Sequence, residues 1–196
     1  GVRYDNIKWG NSSDISVTKV GIGMTLNKTA YCTITDCSIS AQRMGLYSFT
    51  GVLNTFSGNT IWVEGTGEPH EAGIILSDDV GTIIEGGILD GNCPAGVSIY
   101  SGKGQRLSNT SILDYPDVGI EFIPDQLDWN LYEVGQVFIN RCSFTNTRMG
   151  VDLFSCKALV ERSVFQNISS YGIIAERCDN IQVIANGFGG VHTPII

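Results

Sequence analysis

Few groups in this chain can carry chemistry. Glu121 and Asp152 each stand two residues after a glycine, in Gly119-Ile120-Glu121 and Gly150-Val151-Asp152. Glu176 stands four residues after Gly172, and Asp78 and Asp79 are adjacent. Two carboxylates held close repel, so one keeps its proton to higher pH. A proton donor beside an ionised carboxylate is what glycosidic-bond hydrolysis requires. Tyr47, Phe49, Tyr100 and Phe154 stand two or four residues after comparable glycines. They offer flat apolar surfaces to a sugar ring, and Trp129 and Tyr132 add two more in an insertion.

Other chemistries find less support. The six cysteines form no CxxC pair, and neither His70 nor His192 stands at a zinc-ligand spacing from them. No metal and no cofactor is expected, and the thiols read as free, small apolar residues. The two histidines read as ordinary surface residues. No Ser-His-Asp order or phosphate loop is visible, and Gly102-Lys103-Gly104 is only a basic turn.

What must position these groups is a repeat. Gly21, Gly45, Gly73, Gly96, Gly119, Gly150 and Gly172 each open a phrase of Gly, an apolar residue, a variable position and then usually another apolar residue. After each phrase comes an alternating stretch with two recurring large apolar positions. The first holds Ile34, Phe56, Ile84, Leu107, Ile139, Val160 and Val183; the second holds Ile39, Ile61, Leu89, Ile112, Phe144, Phe165 and Phe188. Between them sits a small or turn-forming residue: Cys37, Asn59, Gly87, Thr110, Cys142, Ser163 or Asn186. Period-two alternation means short strands, and the small residue marks a bend. Such a unit stacked on itself is an all-β solenoid of parallel strands with about seven to eight turns. Residues 1–20 read as an irregular first turn of one domain spanning 1–196. Insertions fall near 62–71 and 124–134.

With the residue after each glycine pointing inward, alternate residues point out. One outward column then reads Gly23, Tyr47, Ile75, Ser98, Glu121, Asp152, Ile174. The next reads Thr25, Phe49, Ser77, Tyr100, Ile123, Phe154, Glu176. Neighbouring strands lie about 4.8 Å apart, so Glu121 and Asp152 should be neighbours on a face flanked by aromatic rings. The outward Ile and Phe residues should be exposed on a monomer, which points to a homotrimer or to cover by the 124–134 insertion.

A net charge of −8 and a pI near 4.6 argue against a nucleic-acid partner and a polybasic membrane-surface role. No run of 18 apolar residues occurs, so no membrane insertion is expected.

Over residues 15–190 the columns resemble those of the right-handed parallel β-helix of the pectin-lyase-like superfamily. Ile83–Asn92 is similar to a "GG-x-x-DGN" rung of that superfamily, which is a turn. Asp78-Asp79 resembles the paired Asp of polygalacturonases, without the motifs that accompany it there. Gly67-Glu68-Pro69-His70-Glu71 resembles an Asp-Pro-His-Glu motif of alginate epimerases, with Glu68 in place of Asp. Neither mechanism is carried over.

The chain starts partway through a turn and stops without a polar cap, so a piece of a longer protein is expected. An acidic β-helical piece with apolar outer columns resembles a phage tailspike shaft. That resemblance implies a homotrimer, in a virion tail or else secreted by a bacterium, that binds and hydrolyses O-antigen or capsule polysaccharide. Glu121 and Asp152 would be its acid and base or nucleophile. Two alternatives stand beside it. One is a lyase on a uronate glycan with Tyr100, Lys103 or Arg106 as base; the other is a non-catalytic adhesin.

Overall fold

Each repeat has one strand that must bury the residues flanking its variable position, then two short strands whose central residues point inward. One chain turn satisfies both if it closes into a coil, and every backbone group then pairs with the turn above or below. The structure, a computed structural model, shows this coil and describes residues 1–68, 70–123 and 135–196. It is a parallel β-solenoid, and every strand pairing is parallel. The glycine-bearing strands include Ala72–Ser77, Ala95–Tyr100, Val118–Ile123, Met149–Phe154 and Tyr171–Glu176. They lie in one sheet with the last strands of each turn, such as Ser111–Leu113 and Ser143–Thr145, joined through the long strand Ser38–Phe49. The middle strands, such as Gln105–Ser108, Gly135–Asn140 and Cys156–Glu161, form a second sheet.

Both large apolar columns are continuous in the strand register. Ile34 pairs with Phe56, then Ile84, Leu107, Ile139, Val160 and Val183. Ile39 leads through Ile61, Leu89, Ile112, Phe144 and Phe165 to Phe188. The rings of Phe144 and Phe165 stack at 4.7 Å, and those of Phe165 and Phe188 at 5.0 Å. Between these columns the chain bends through a residue of positive φ, such as Asp36, Gly58, Asn109 or Arg141, and in one turn through two, Gly86 and Gly87. The next residue ties turns together. Asn59 accepts the Cys37 amide at 3.0 Å and donates to the Ile34 carbonyl at 3.0 Å. Asn186 does the same for Ser163 and Val160 at 2.8 and 2.9 Å.

The glycine column has a packing cause. A Cβ on Gly119 would lie 2.6 Å from both the Gly150 carbonyl oxygen and the Phe144 ring. In the first turn the register glycine is Gly23, not Gly21. Gly23 meets the Gly45 carbonyl, while Gly21 faces open space. Two register shifts in Ser16–Asn27 move the phrase by two residues, so Thr25 pairs with Tyr47 and Asn27 with Phe49. Met24 and Leu26 accordingly fill the core.

All five described buried cysteines and the half-buried Cys178 are free thiols. Five line the coil interior as small apolar groups; burial pushes the Cys142 thiol up to about 11 and that of Cys93 to about 12.

Candidate functional site

The outer surface of the glycine strands gathers most of the expected residues. Ser98, Glu121, Asp152 and Ile174 are successive register partners, with Tyr47 and Ile75 preceding them. Tyr100 and Ile123 pair one column over, and Phe154 pairs with Glu176. Glu121 is half-buried and accepts the Ser98 hydroxyl at 2.6 Å. Burial raises its pKa most; the neighbouring Asp152 and Asp117 charges add, while the Ser98 hydrogen bond and His70 oppose. Asp152 is raised by burial, then by Glu176 and Asp117, against Arg148. Arg148 is held by Asp117 at 2.8 Å. Both carboxyls are therefore held above their ordinary values. The pair can present one neutral donor beside one carboxylate.

A third group joins them. Trp62 and Val63, expected in the insertion, belong to the strand Thr60–Val63; His70 sits near the end of the connection 64–71 with a positive φ of 63°, and its Nδ1 lies 3.2 Å from the Tyr100 hydroxyl. Its ring meets Tyr100 edge-on at 5.8 Å. The insertion is pinned by the buried Glu71, whose carboxylate accepts the amides of Thr66 at 2.8 Å and Gly67 at 3.2 Å and faces Arg43 at 3.6 Å. Burial disfavours the Glu71 charge, but these bonds win and hold its pKa below the ordinary value. Burial raises the Tyr100 phenol, and the Glu121 charge raises it further.

The remaining candidates separate. Glu176 is exposed at the far end of the face, two residues beyond the Asp152 column. Asp78 is exposed at a turn with φ 54°. Asp79 is fully buried: it accepts the Gly51 amide at 2.5 Å and the Thr82 hydroxyl at 3.1 Å, and burial raises its pKa. It clamps two turns and cannot meet a substrate. Tyr47 and Phe49 lie side by side with ring centroids 6.5 Å apart, and Phe154 lies under the Arg177 guanidinium at 5.4 Å. Trp129 and Tyr132 fall outside the described residues. Arg106 lies on the second sheet, over Phe138, and Lys103 at a bridge to Val80.

The outward apolar residues are covered more than expected. Ile75 is 3% exposed, packed in a cluster with Ala72, Ala95, Val118 and Met149, against which Tyr47 and Tyr100 lie. Phe49, Ile123, Phe154 and Ile174 are half-buried. Neighbouring side chains on the face shield one another, which strand alternation alone does not register.

A family model described as "NosD: Periplasmic copper-binding protein (NosD)" matches residues 2–133. The chain belongs to the NosD family. No curated protein matches this NosD-family chain. Among solved structures it is similar to the A-module of the Azotobacter vinelandii mannuronan C-5 epimerase AlgE4. The identity is 17% and the TM-score 0.78, over 97% of this chain and 56% of that one. It is also similar to the tailspike protein gp49 of Pseudomonas phage LKA1, with 10% identity and a TM-score of 0.56 over 95% of this chain and 45% of that one. The chain thus spans about half the length of either structure. At these identities the likeness shows the fold, a parallel β-helix.

The family description raises copper. Among the described residues no group of three or more His, Cys, Asp or Glu could hold a metal ion. Cys156 and Cys178 bring two sulfurs within 3.9 Å, but burial and the neighbouring thiol hold Cys156 strongly protonated, and no third donor joins them. Among the described residues the donor set does not fit a copper centre of three or more ligands.

Proposed function

We propose that this chain binds a polysaccharide along the outer face of its glycine strands and acts on it with Glu121 and Asp152. The observation that carries this reading is their pairing on adjacent turns, with both pKa values raised. Protonated Glu121 donates to the glycosidic oxygen, and ionised Asp152 acts as nucleophile or base. Strand spacing of about 4.8 Å is close to the roughly 5–5.5 Å carboxyl separation of retaining glycosidases. Tyr47, Phe49 and Phe154 flank the pair as sugar platforms. The named activities of the two similar structures, on mannuronan and as a tailspike, support a glycan ligand without choosing the reaction.

A second reading rests on the His70–Tyr100 contact. A phenol and an imidazole 3.2 Å apart can remove and return the proton beside a uronate carboxylate, giving elimination or epimerisation. The 67–71 resemblance to an epimerase motif and the likeness to an epimerase module favour it. The crowd of carboxylates on this face disfavours an anionic sugar.

The test incubates the protein with purified O-antigen, capsular polysaccharide and mannuronan. New reducing ends lost in both Glu121→Gln and Asp152→Asn support hydrolysis. An ultraviolet-absorbing unsaturated product, or inverted uronate residues, lost in Tyr100→Phe supports the second reading. Binding without turnover leaves an adhesin. The site of action in this proposal lies outside the cytoplasm, consistent with a family described as periplasmic; a virion tail and a homotrimer are its finer form. The mass in solution tests the trimer, for which the half-buried Ile and Phe columns leave less apolar area to cover.

A further inference from the structure

The second sheet carries an outer surface that the acid/base face does not use. One outward column runs through Ile83, Arg106, Phe138 and Leu159 on successive turns. An outward column on a solvated sheet has no folding reason to be apolar, because its side chains miss the core. Here the Arg106 guanidinium lies 5.2 Å over the Phe138 ring, and Phe138 and Leu159 are half-buried. A polar row borders the column on each side. Ser108, Asn140 and Glu161 stand on one side, with Asn140 donating to Glu161. Gln136, Lys157 and Asn180 stand on the other. Between spine and rows lie two depressions, about 430 Å³ on the Asn140 side and about 140 Å³ on the Gln136 side.

We propose that this surface is a second saccharide-binding site, taking neutral pyranose units on the Phe138–Leu159 ridge. A pyranose has an apolar face of C–H groups and a rim of hydroxyls. The ridge supplies an apolar seat, and amide, hydroxyl and carboxylate groups to either side supply donors and acceptors at the rim. Spacing from one turn to the next, about 4.8 Å, is close to the length of one pyranose unit, so consecutive sugars can meet consecutive turns. Each depression holds a ring rather than a protein segment, and the amide-rich borders suit hydroxyls better than a second apolar surface. The site rests on the reading that the protein's ligand is a glycan. Its role is to hold a distant stretch of a long chain while the Glu121 face engages another.

The test is an amide chemical-shift titration of the whole chain with cello-, chito- and mannuronate oligosaccharides, repeated on Phe138→Ala and Asn140→Ala. The expected result is movement at Ser108, Gln136, Asn140 and Lys157, with about tenfold weaker binding there in Phe138→Ala. Shifts confined to Tyr47, Ser98 and Glu121 would overturn this site and leave the proposed function standing. No shift with any probe would overturn this site, while the proposed function stands or falls on the incubations with O-antigen, capsular polysaccharide and mannuronan. A Phe138→Ala change that alters the mass in solution while leaving glycan shifts intact would assign the ridge to contact between copies and overturn the proposal. Asn140→Ala, which removes a rim donor and no apolar packing, separates lost recognition from a disturbed strand. Unchanged binding in both variants would also overturn it.

Discussion

The surroundings of Glu121 predict how its carboxyl behaves. Its folded pKa lies above the unfolded value because burial and Asp152 disfavour the charge. The folded state therefore binds the proton more tightly than the unfolded chain. The stabilisation this gives is fully present below the unfolded pKa, near the ordinary carboxylate range, and is lost as pH rises through the raised folded value. Glu121→Gln removes the cost of ionisation. It should raise the thermal midpoint at neutral pH, with the gain shrinking toward acid pH, as scanning calorimetry at several pH values would show. The same variant should lower turnover by roughly 10²–10⁴-fold if Glu121 is the general acid, measured as reducing ends. Burial raises the Asp79 pKa too, but its carboxylate also ties the Gly51 amide to the Thr82 hydroxyl. Asp79→Ala leaves the Gly51 amide and Thr82 hydroxyl without their acceptor and should cost about 1–3 kcal/mol in denaturant melts. Glu121 and Asp152 were legible as neighbours because each stands at the same place in its phrase. The burial of Asp79 was not, because the two adjacent aspartates look alike until the corner turns one inward.

Each turn is held by one ring or branched side chain per core column and one residue at the bend. Phe165 stacks between Phe144 and Phe188 and is fully buried. Phe165→Ala should cost about 3–5 kcal/mol, seen as a lower urea midpoint. Near the end of the coil Cys156 and Cys178 face each other across adjacent turns at 3.9 Å. With oxidised glutathione as the disulfide oxidant, both thiols should give up their protons and two electrons, releasing two glutathione thiols as the Sγ–Sγ bond forms. The free-thiol count in denaturant should then fall from six to four. Closing a loop of this size should add about 3 kcal/mol, and Cys178→Ser should abolish both effects. The core columns and the bend could be read from spacing alone, since a β solenoid repeats its inward positions in every turn. The displaced first turn could not. Gly21 and Gly23 both satisfy the pattern, and only the register shifts in Ser16–Asn27 choose Gly23.

At the scale of the molecule, a coil brings together residues one turn apart in sequence and keeps apart residues on different sheets. Arg106 lies only six residues from Tyr100, yet the corner sends it to the second sheet, over Phe138. His70 lies thirty residues before Tyr100, yet the insertion returns it to the Tyr100 hydroxyl. The amino-acid sequence by itself determined the parallel solenoid, its two apolar columns, its bends and the adjacency of Glu121 with Asp152. All of these follow from side-chain alternation and a repeat length that the coil translates into spacing. Only the tertiary structure decided that Ile75 is covered, that Asp79 is a clamp and that His70 joins the face. It also decided that Phe138 and Leu159 make a ridge on the second sheet. These depend on where a corner or an insertion carries the chain. That is set by packing between turns, which no single repeat records.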